Sequence, residues 1–176
     1  IHLGSSGSCK EKISLPATTF EDILEKQWEN SNLREYLSST KFFFTVYKDN
    51  EEGNPVFKGS WFWNMPVSDL EGEVKRIWTK AKSILESPEG VELRPEVQKS
   101  GETRIRNNLP GMAESNITHI RPHTDHRYYR LADGTIYAKK GKPSDAFVLP
   151  DGYRMMTKQC FWLDTFYILR ELGIKH

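Results

Sequence analysis

The sequence has few cysteines, no long apolar run and almost no net charge. Its two cysteines, Cys9 and Cys160, cannot form a disulfide framework, and Cys160 lies in the apolar run QCFWL, which predicts a buried free thiol. No stretch of the 176 residues is long and apolar enough for a membrane span, and no signal-peptide pattern is present. We therefore expect one domain, residues 1–176, in the reducing cytoplasm and away from membranes. Because the chain begins with IHLG rather than Met, we expect it to be part of a longer protein.

The net charge of +1 hides a strongly uneven distribution. From Lys99 to Lys142 the chain has nine Lys or Arg and four acids, so this segment carries +5 and the rest carries −4. A basic band on a nearly neutral protein is typical of phosphate binding. A solvated basic loop is the alternative that composition leaves open.

Helix and strand patterns alternate along the first ninety residues. Thr18 with Glu21 predicts a capping box for a first helix, and residues 33–37 predict a short second one. KFFFTVYK (41–48) is apolar on both faces and predicts a central strand, with VFKGSWFWNMP as its hairpin partner. Ser68 with Glu71 predicts a second capping box. The helix that follows has an apolar face, formed by Leu70, Val74, Ile77, Trp78, Ala81, Ile84 and Leu85. We expect its outer face to be solvated, and that face carries Lys75, Arg76, Lys80 and Lys82.

The second half is dominated by short β patterns. Candidate strands lie at 91–94, 103–106 and 117–121, and residues 122–151 have no periodicity, which predicts a long loop. CFWL predicts a further strand, and Asp164 a cap for a closing helix that Gly173 ends. Alternation in CFWL leaves two interpretations of Trp162: it projects from the surface if Phe161 faces the core, or it is itself packed inside. The whole indicates an α/β fold built around a sheet.

ITHIRPHTDHRYYR (117–130) concentrates three histidines and three arginines. A metal site at His119, His123 and His126 is disfavoured, because Pro122 interrupts the spacing and no cysteine is near. A nucleic-acid site fits more features: Arg121 at a strand end can read guanine O6 and N7 bidentately, while basic residues hold phosphates, namely Arg127, Arg130, Lys139, Lys140 and Lys142. The remaining alternative is that Arg121 forms a structural ion pair with Glu92 or Glu114.

A nuclease metal signature of acid, spacer, acid-x-lysine is not formed in this region. The corresponding positions are Gly111, Thr118 and Ile120, which cannot hold a cation or activate water as carboxylates do. We therefore predict no catalytic residue and no metal ligand at these positions.

Five stretches resemble the MutH-type endonucleases, which act at GATC sites in duplex DNA. They are KEKISLPATTFEDILEKQWENS, TKFFFTVYK, FKGSWFWNMPVSDLEGEVKRIW, THIRPHTDHRYYR and MTKQCFWLD, and they span almost the whole chain. RPHTDHRYYR and MTKQCFW are most similar to the C-terminal, non-catalytic domain of the Sau-type GATC-cutting type II restriction enzymes. The resemblance implies a restriction-endonuclease-like (MutH-like) fold, a mixed sheet flanked by helices.

The resemblance also implies roles for individual residues. Arg121, Pro122 and His123, together with Trp162, correspond to residues that reach the GATC bases. MutH itself has lysine at His123 and tyrosine at Trp162. The family's catalytic strand lies upstream of the stretch that PATTFEDILEK matches, so we expect this chain to bind DNA without cutting it.

The predicted function is thus that of an allosteric DNA-binding domain of a type II restriction endonuclease. Its predicted partners are GATC duplex and the N-terminal catalytic domain of the same polypeptide. No cofactor is expected in this chain, while Mg²⁺ is expected in the catalytic domain. Two alternatives are a MutH-like nuclease that has lost its catalytic strand and a domain that mainly joins two copies or subunits.

Overall fold

The computed structural model describes residues 1–9 and 12–174, which form a mixed α/β fold. The strands are β1 (His2–Leu3), β2 (Ile13–Ala17), β3 (Phe42–Asp49), β4 (Pro55–Trp63), β5 (Leu93–Val97), β6 (Thr103–Asn107), β7 (Thr118–Pro122), β8 (Arg127–Arg130), β9 (Ile136–Lys139), β10 (Ala146–Val148), β11 (Met155–Thr157) and β12 (Gln159–Leu163). The α-helices are α1 (Phe20–Glu25), α2 (Asn32–Ser39), α3 (Val67–Asp69), α4 (Lys75–Glu86) and α5 (Thr165–Glu171). A π-helical segment, Leu70–Val74, joins α3 to α4, and 3₁₀ turns lie at Trp28–Asn30 and Pro143–Asp145. Within these ranges no helix is long and apolar enough to cross a membrane.

The strands are divided among four small sheets. Their orders are β1-β3-β4, β2-β12-β7, β10-β11-β8-β9 and β5-β6. Of these pairs, β1 with β3 is parallel and the others are antiparallel. The mixed α and β character predicted from the sequence is confirmed. Strand β2 was not predicted, and it lies at the edge of its sheet, where Pro16 is tolerated because an edge strand has unpaired positions.

The hairpin of β3 and β4 is confirmed, and β3 is central in its sheet as predicted. Its inner face buries Phe44 and Val46 of β3 and Trp63 of β4. The apolar residues on both faces of β3 predicted that both faces are buried, and this is wrong for the outer face, where Phe43 is exposed. A register shift between Val46 and Tyr47 bulges the hairpin.

The long helical region is confirmed, but both predicted capping boxes are wrong. The first lies one residue later, since Thr19 caps α1 and its hydroxyl accepts from the backbone N of Asp22. Ser68 lies inside α3, whose N-cap is Pro66. Glu71, which was expected at the cap, instead accepts hydrogen bonds from Trp28 Nε1 at 2.7 Å and from Arg34 Nε at 2.7 Å. Both of these donors are far from Glu71 in the sequence. Long-range hydrogen bonds therefore replace the local one.

The apolar face of the helix is confirmed, with Val74, Ile77 and Ala81 fully buried against the main core. The prediction for Lys82 on the outer face is wrong, because only 8% of this residue is exposed. Its Nζ donates to three backbone oxygens at and beyond the end of α1, those of Ile23 (3.0 Å), Leu24 (2.8 Å) and Lys26 (2.6 Å). The ammonium thus satisfies carbonyls that the short α1 leaves without helical partners.

The predicted loop over residues 122–151 is wrong for much of its length. It contains β8, β9 and β10, and β8 and β10 both pair with β11 beyond it. Tyr128 and Tyr129 of β8 are buried, so this segment has a folded interior. Strands of three or four residues have too little periodicity to be recognised locally, and their pairing with β11 decides the conformation.

The C-terminal elements follow the prediction. Cys160 is buried, and burial raises the pKa of its thiol to about 11. Asp164 caps α5, with its Oδ1 accepting from the backbone N of Phe166 (2.9 Å) and Tyr167 (3.1 Å). Ile168 of α5 is fully buried, so the helix closes the core.

Candidate nucleic-acid interface

Strands β7 and β12 position the residues that the sequence singled out. They pair antiparallel, with Arg121 opposite Cys160 and His119 opposite Trp162. Phe161 and Leu163 of β12 face the core and are almost fully buried. Side chains alternate along a strand, so Trp162 lies on the other face, where it is half-buried. Of the two interpretations that the sequence left open, the structure supports the one in which Phe161 faces the core and Trp162 lies on the opposite face.

Arg121 and Trp162 form one unit on this face. The Arg121 guanidinium carbon lies 5.3 Å from the centroid of the Trp162 ring, within the range of a cation–π contact. The Trp162 Nε1 also donates to the backbone oxygen of Arg121 at 3.4 Å. The indole is therefore engaged by the arginine and does not project alone. The contact with the indole limits the rotamers open to Arg121, and the half-buried side chain stays in reach of solvent.

The ion-pair alternative for Arg121 finds no support in this geometry. Glu92 pairs with Arg94, and Glu114 pairs with Lys80 at 2.5 Å. Within residues 1–9 and 12–174, Arg121 has no carboxylate at ion-pair distance. Its donors are thus available to a ligand.

Pro122 ends β7, and the turn that follows exposes His123, Asp125 and His126. The backbone N of His123 donates to the carbonyl oxygen of Lys158 at 2.8 Å, which anchors the turn next to β12. The His123 ring is exposed. Lys158, which was not predicted as a site residue, has its Nζ 5.7 Å from the centroid of the Phe147 ring. It stands between β11 and β12, beside the turn.

The five predicted phosphate contacts differ in what they already bind. Arg130 donates to the carbonyl oxygen of Tyr153 and stacks on that ring at 4.6 Å, and Lys139 pairs with Glu102 at 2.6 Å. Among the described residues, the one carboxylate near the Arg127 guanidinium is that of the fully exposed Asp125, at 3.6 Å.

The remaining two, Lys140 and Lys142, are exposed, and in the part of the chain that the structure describes neither side-chain ammonium has a carboxylate within 4 Å. Arg130 and Lys139 therefore serve the fold in this conformation, while the others remain open to an anion.

Gly141 brings these open cations together. A Cβ atom at this position would lie 2.4 Å from the backbone oxygen of Arg127, so only glycine allows the two segments to pass. Lys140 forms a β-bridge with Arg127 and has a positive φ of 58°. This close crossing places Lys140 and Lys142 next to the start of β8. The glycine in KKGK is the sequence signal that could have indicated it.

His119 is the least expected residue of the group. Its ring is fully buried, and neither ring nitrogen has a hydrogen-bond partner among the described residues. Burial lowers its pKa to about 4, with a further lowering from the charge of Arg121 and an opposing effect of Asp164. The ring is therefore neutral at physiological pH.

The three histidines of the motif do not come together. His123 and His126 are exposed while His119 is buried. Among residues 1–9 and 12–174 no group of three or more His, Cys, Asp or Glu is placed to hold a metal ion. The structure thus gathers Arg121, Trp162 and the turn after Pro122, and leaves the histidines apart.

Comparison with known proteins agrees with the resemblance to the C-terminal domain of type II restriction enzymes. No family model matches the chain. The chain is 33% identical over 182 residues to the type II restriction enzyme Sau3AI from Staphylococcus aureus. The match covers 98% of this chain and lies in the C-terminal part of that enzyme. The chain spans 37% of the enzyme's length.

Proposed function

We propose, from its homology to a type II restriction enzyme, that this chain is a domain that binds duplex DNA at GATC. The fold we propose is MutH-like, of the restriction-endonuclease type. The observation that carries the function is the half-buried Arg121, whose guanidinium is stacked on Trp162 and has no ion-pair partner among the described residues. An arginine that is oriented but unpaired is prepared for a ligand with two acceptors in a plane.

Guanine offers such a pair of acceptors in the major groove. Its O6 and N7 accept from the two N–H groups of a guanidinium fork, and this is the commonest specific base contact of arginine. Each strand of GATC has one guanine, so one Arg121 reads one strand. Because the stack with Trp162 reduces the rotamers of Arg121, less conformational entropy is lost on binding.

In this proposal Trp162 positions the arginine and contacts DNA at its exposed edge. Pro122 stiffens the strand end, and the exposed His123 ring reaches the groove beside Arg121. The hydrogen bond from the His123 backbone to Lys158 supports this arrangement, because it holds the turn against β12.

Phosphates are held by the cations that the fold leaves open. Arg127, Lys140 and Lys142 form this group, gathered by the close crossing at Gly141. Lys139 and Arg130 were predicted to have the same role. They first have to exchange Glu102 and Tyr153 for a phosphate, so we expect them to contribute less.

We further propose that the domain acts as an effector and that cleavage belongs to another part of a longer polypeptide. The homologous enzyme is longer than this chain, which leaves room in it for a separate catalytic domain. Binding of GATC here would then favour the active arrangement of that domain.

A binding titration tests the proposal. Labelled duplexes of about 16 base pairs, one with GATC and one scrambled, are titrated with the chain at 50 and 200 mM salt and read by fluorescence anisotropy. We expect tighter binding to GATC at both salt concentrations and a steep loss of affinity for both duplexes at the higher one. Equal affinity for the two duplexes at both concentrations contradicts the assignment of sequence-specific binding.

A further inference from the structure

The outer side of the β3–β4 hairpin exposes four aromatic rings, which we call the aromatic face. Phe43 and Phe62 pair across the strands with ring centroids 4.9 Å apart, and Tyr47 and Phe57 pair at 5.6 Å. The exposed fractions are 57% for Phe43, 67% for Phe62, 39% for Tyr47 and 56% for Phe57. At about 200 Å² per aromatic side chain, the four leave roughly 400 Å² accessible. Apolar area of this size is about that of the largest patch on a typical folded monomer, and such a patch often has a functional role.

The partner of the aromatic face is not the DNA proposed for Arg121. The face belongs to a different sheet, whose inner side is closed by Leu3, Val46 and Leu169. A duplex presents charged phosphates and polar groove edges, whereas paired, exposed aromatic rings require an apolar surface. The partner is therefore a protein.

Charges are placed unequally along the hairpin. At its open end, Lys41 Nζ lies 4.8 Å from the centroid of the Phe62 ring. At the opposite end the turn after β3 carries the exposed Glu51 and Glu52, two cross-strand pairs beyond the Tyr47–Phe57 pair. Lys58, at the bulge, lies between the two ends. The face thus has a positive end at one aromatic pair and a negative end beyond the other.

We propose that the aromatic face binds the same face of a second copy of this chain, with the two hairpins antiparallel. The two-fold axis passes beside Thr45 and Ser60, a small polar pair between the two aromatic pairs. In this arrangement each Phe43–Phe62 pair packs on the Tyr47–Phe57 pair of the other copy. The same rotation brings the lysine at the open end of one copy to the glutamates at the turn of the other.

Both the spacing and the area suit such a two-fold contact. Phe43 and Tyr47 are four residues apart in β3, about 13 Å at 3.3 Å per residue, which separates the two packing positions along the strand. Two-fold interfaces use one self-complementary surface twice, so a face with opposite charges at its ends meets its own complement. The aromatic area supplies about half of the roughly 800 Å² per partner in a standard interface, in keeping with an apolar fraction slightly above half.

The test is the mass of the chain in solution, measured by sedimentation velocity from about 1 to 200 µM. We expect a concentration-dependent dimer. Phe62→Glu should raise the dimer dissociation constant about 100-fold or more, because the most exposed ring of the face is replaced by a carboxylate in both copies. Val97→Glu is the matched control, since Val97 is 72% exposed on β5 and outside the face. A chain that remains a monomer throughout, or a dimer that Phe62→Glu leaves unchanged, overturns the proposal.

Charge reversal tests the antiparallel arrangement without changing the aromatic rings. Lys41→Glu alone and the pair Glu51→Lys with Glu52→Lys should each weaken the dimer several-fold, and the three changes together should restore it. Weakening that the combined variant does not reverse contradicts the antiparallel packing. Dimer formation does not depend on DNA recognition. Arg121→Lys should therefore leave the dimer dissociation constant unchanged. Conversely, variants that have lost the dimer should still prefer GATC over scrambled DNA when a duplex with a single site is titrated.

Discussion

Replacing Arg121 by lysine separates base reading from every other role of this residue. Lysine keeps the positive charge but presents a single ammonium in place of the planar fork. Removing the bidentate hydrogen bonds should cost roughly 1–3 kcal/mol at GATC, which is about a fivefold to 150-fold loss of affinity. Binding to scrambled duplex depends on charge, which the variant retains, so it should change little.

The folded structure sets how much stability this substitution can remove. Arg121 has no ion pair among the described residues, and its guanidinium stacks on Trp162 at 5.3 Å. A half-exposed cation–π contact contributes about 0.5–1 kcal/mol. For a domain of this size the melting temperature should therefore fall by no more than about 4 °C.

The assay is a competition titration of the variant against labelled GATC duplex, with unlabelled GATC and scrambled duplexes as competitors, together with a melting curve. Arg130→Lys is the matched control, because Arg130 also stacks on an aromatic ring but donates to the Tyr153 carbonyl. We expect that control to lower the melting temperature without changing the preference for GATC. An equal loss of affinity on both duplexes for Arg121→Lys would refute base reading.

Other sites give four further expected outcomes. Replacing Lys140 and Lys142 by Ala should weaken binding to GATC and scrambled duplexes equally. It should also reduce the slope of log affinity against log salt concentration by about 0.9 for each phosphate that is no longer neutralised. Lys139→Ala should have a smaller effect, because Glu102 already binds that ammonium. The pKa of His119 is about 4 in the folded protein and 6.5 for an unperturbed histidine. The stability that its neutral ring contributes is therefore fully present above pH 6.5 and is lost as the pH falls towards 4. Urea unfolding should show about 2 kcal/mol less stability at pH 5 than at pH 7, and His119→Leu should remove most of that difference. Lys82→Met should leave three backbone oxygens without their ammonium donor and lower the free energy of unfolding by about 1–3 kcal/mol, which is measured as a lower melting temperature. Lys80→Met is the control and should lower it less, because its exposed ion pair with Glu114 contributes about 0–1 kcal/mol. Finally, the purified chain should not nick a GATC plasmid in Mg²⁺; nicking abolished by mutation of one of its own acids would support the alternative of a nuclease.

Local patterns were sufficient where neighbours in sequence are also neighbours in space. The apolar repeat of α4, the β3–β4 hairpin and the Asp164 cap each depend on residues a few positions apart, and each was predicted. The Arg121 motif was recognised from its composition and its resemblance to a known family. Its recognition did not require knowledge of the tertiary contacts.

Predictions from local sequence patterns failed where the residue's contact partner is distant in the sequence. β8 and β10 exist because β11 pairs with both, and Lys82 is buried because the end of α1 lies beside it, 56 to 59 residues away. Glu71 has the sequence context of a cap but binds Trp28 instead. In each case a long-range contact outweighed a local preference of about 1 kcal/mol.

The sequence by itself determined the mixed α/β character, the main helical and strand segments and the identity of the arginine at the end of β7. Tertiary structure decided what that arginine contacts. Arg121 and Trp162 are 41 residues apart and meet only because β7 and β12 pair in one register; a shift by one residue would turn the indole to the core and leave the guanidinium without its platform. The register is set by Ile120, Phe161 and Leu163, which must all face the same apolar interior.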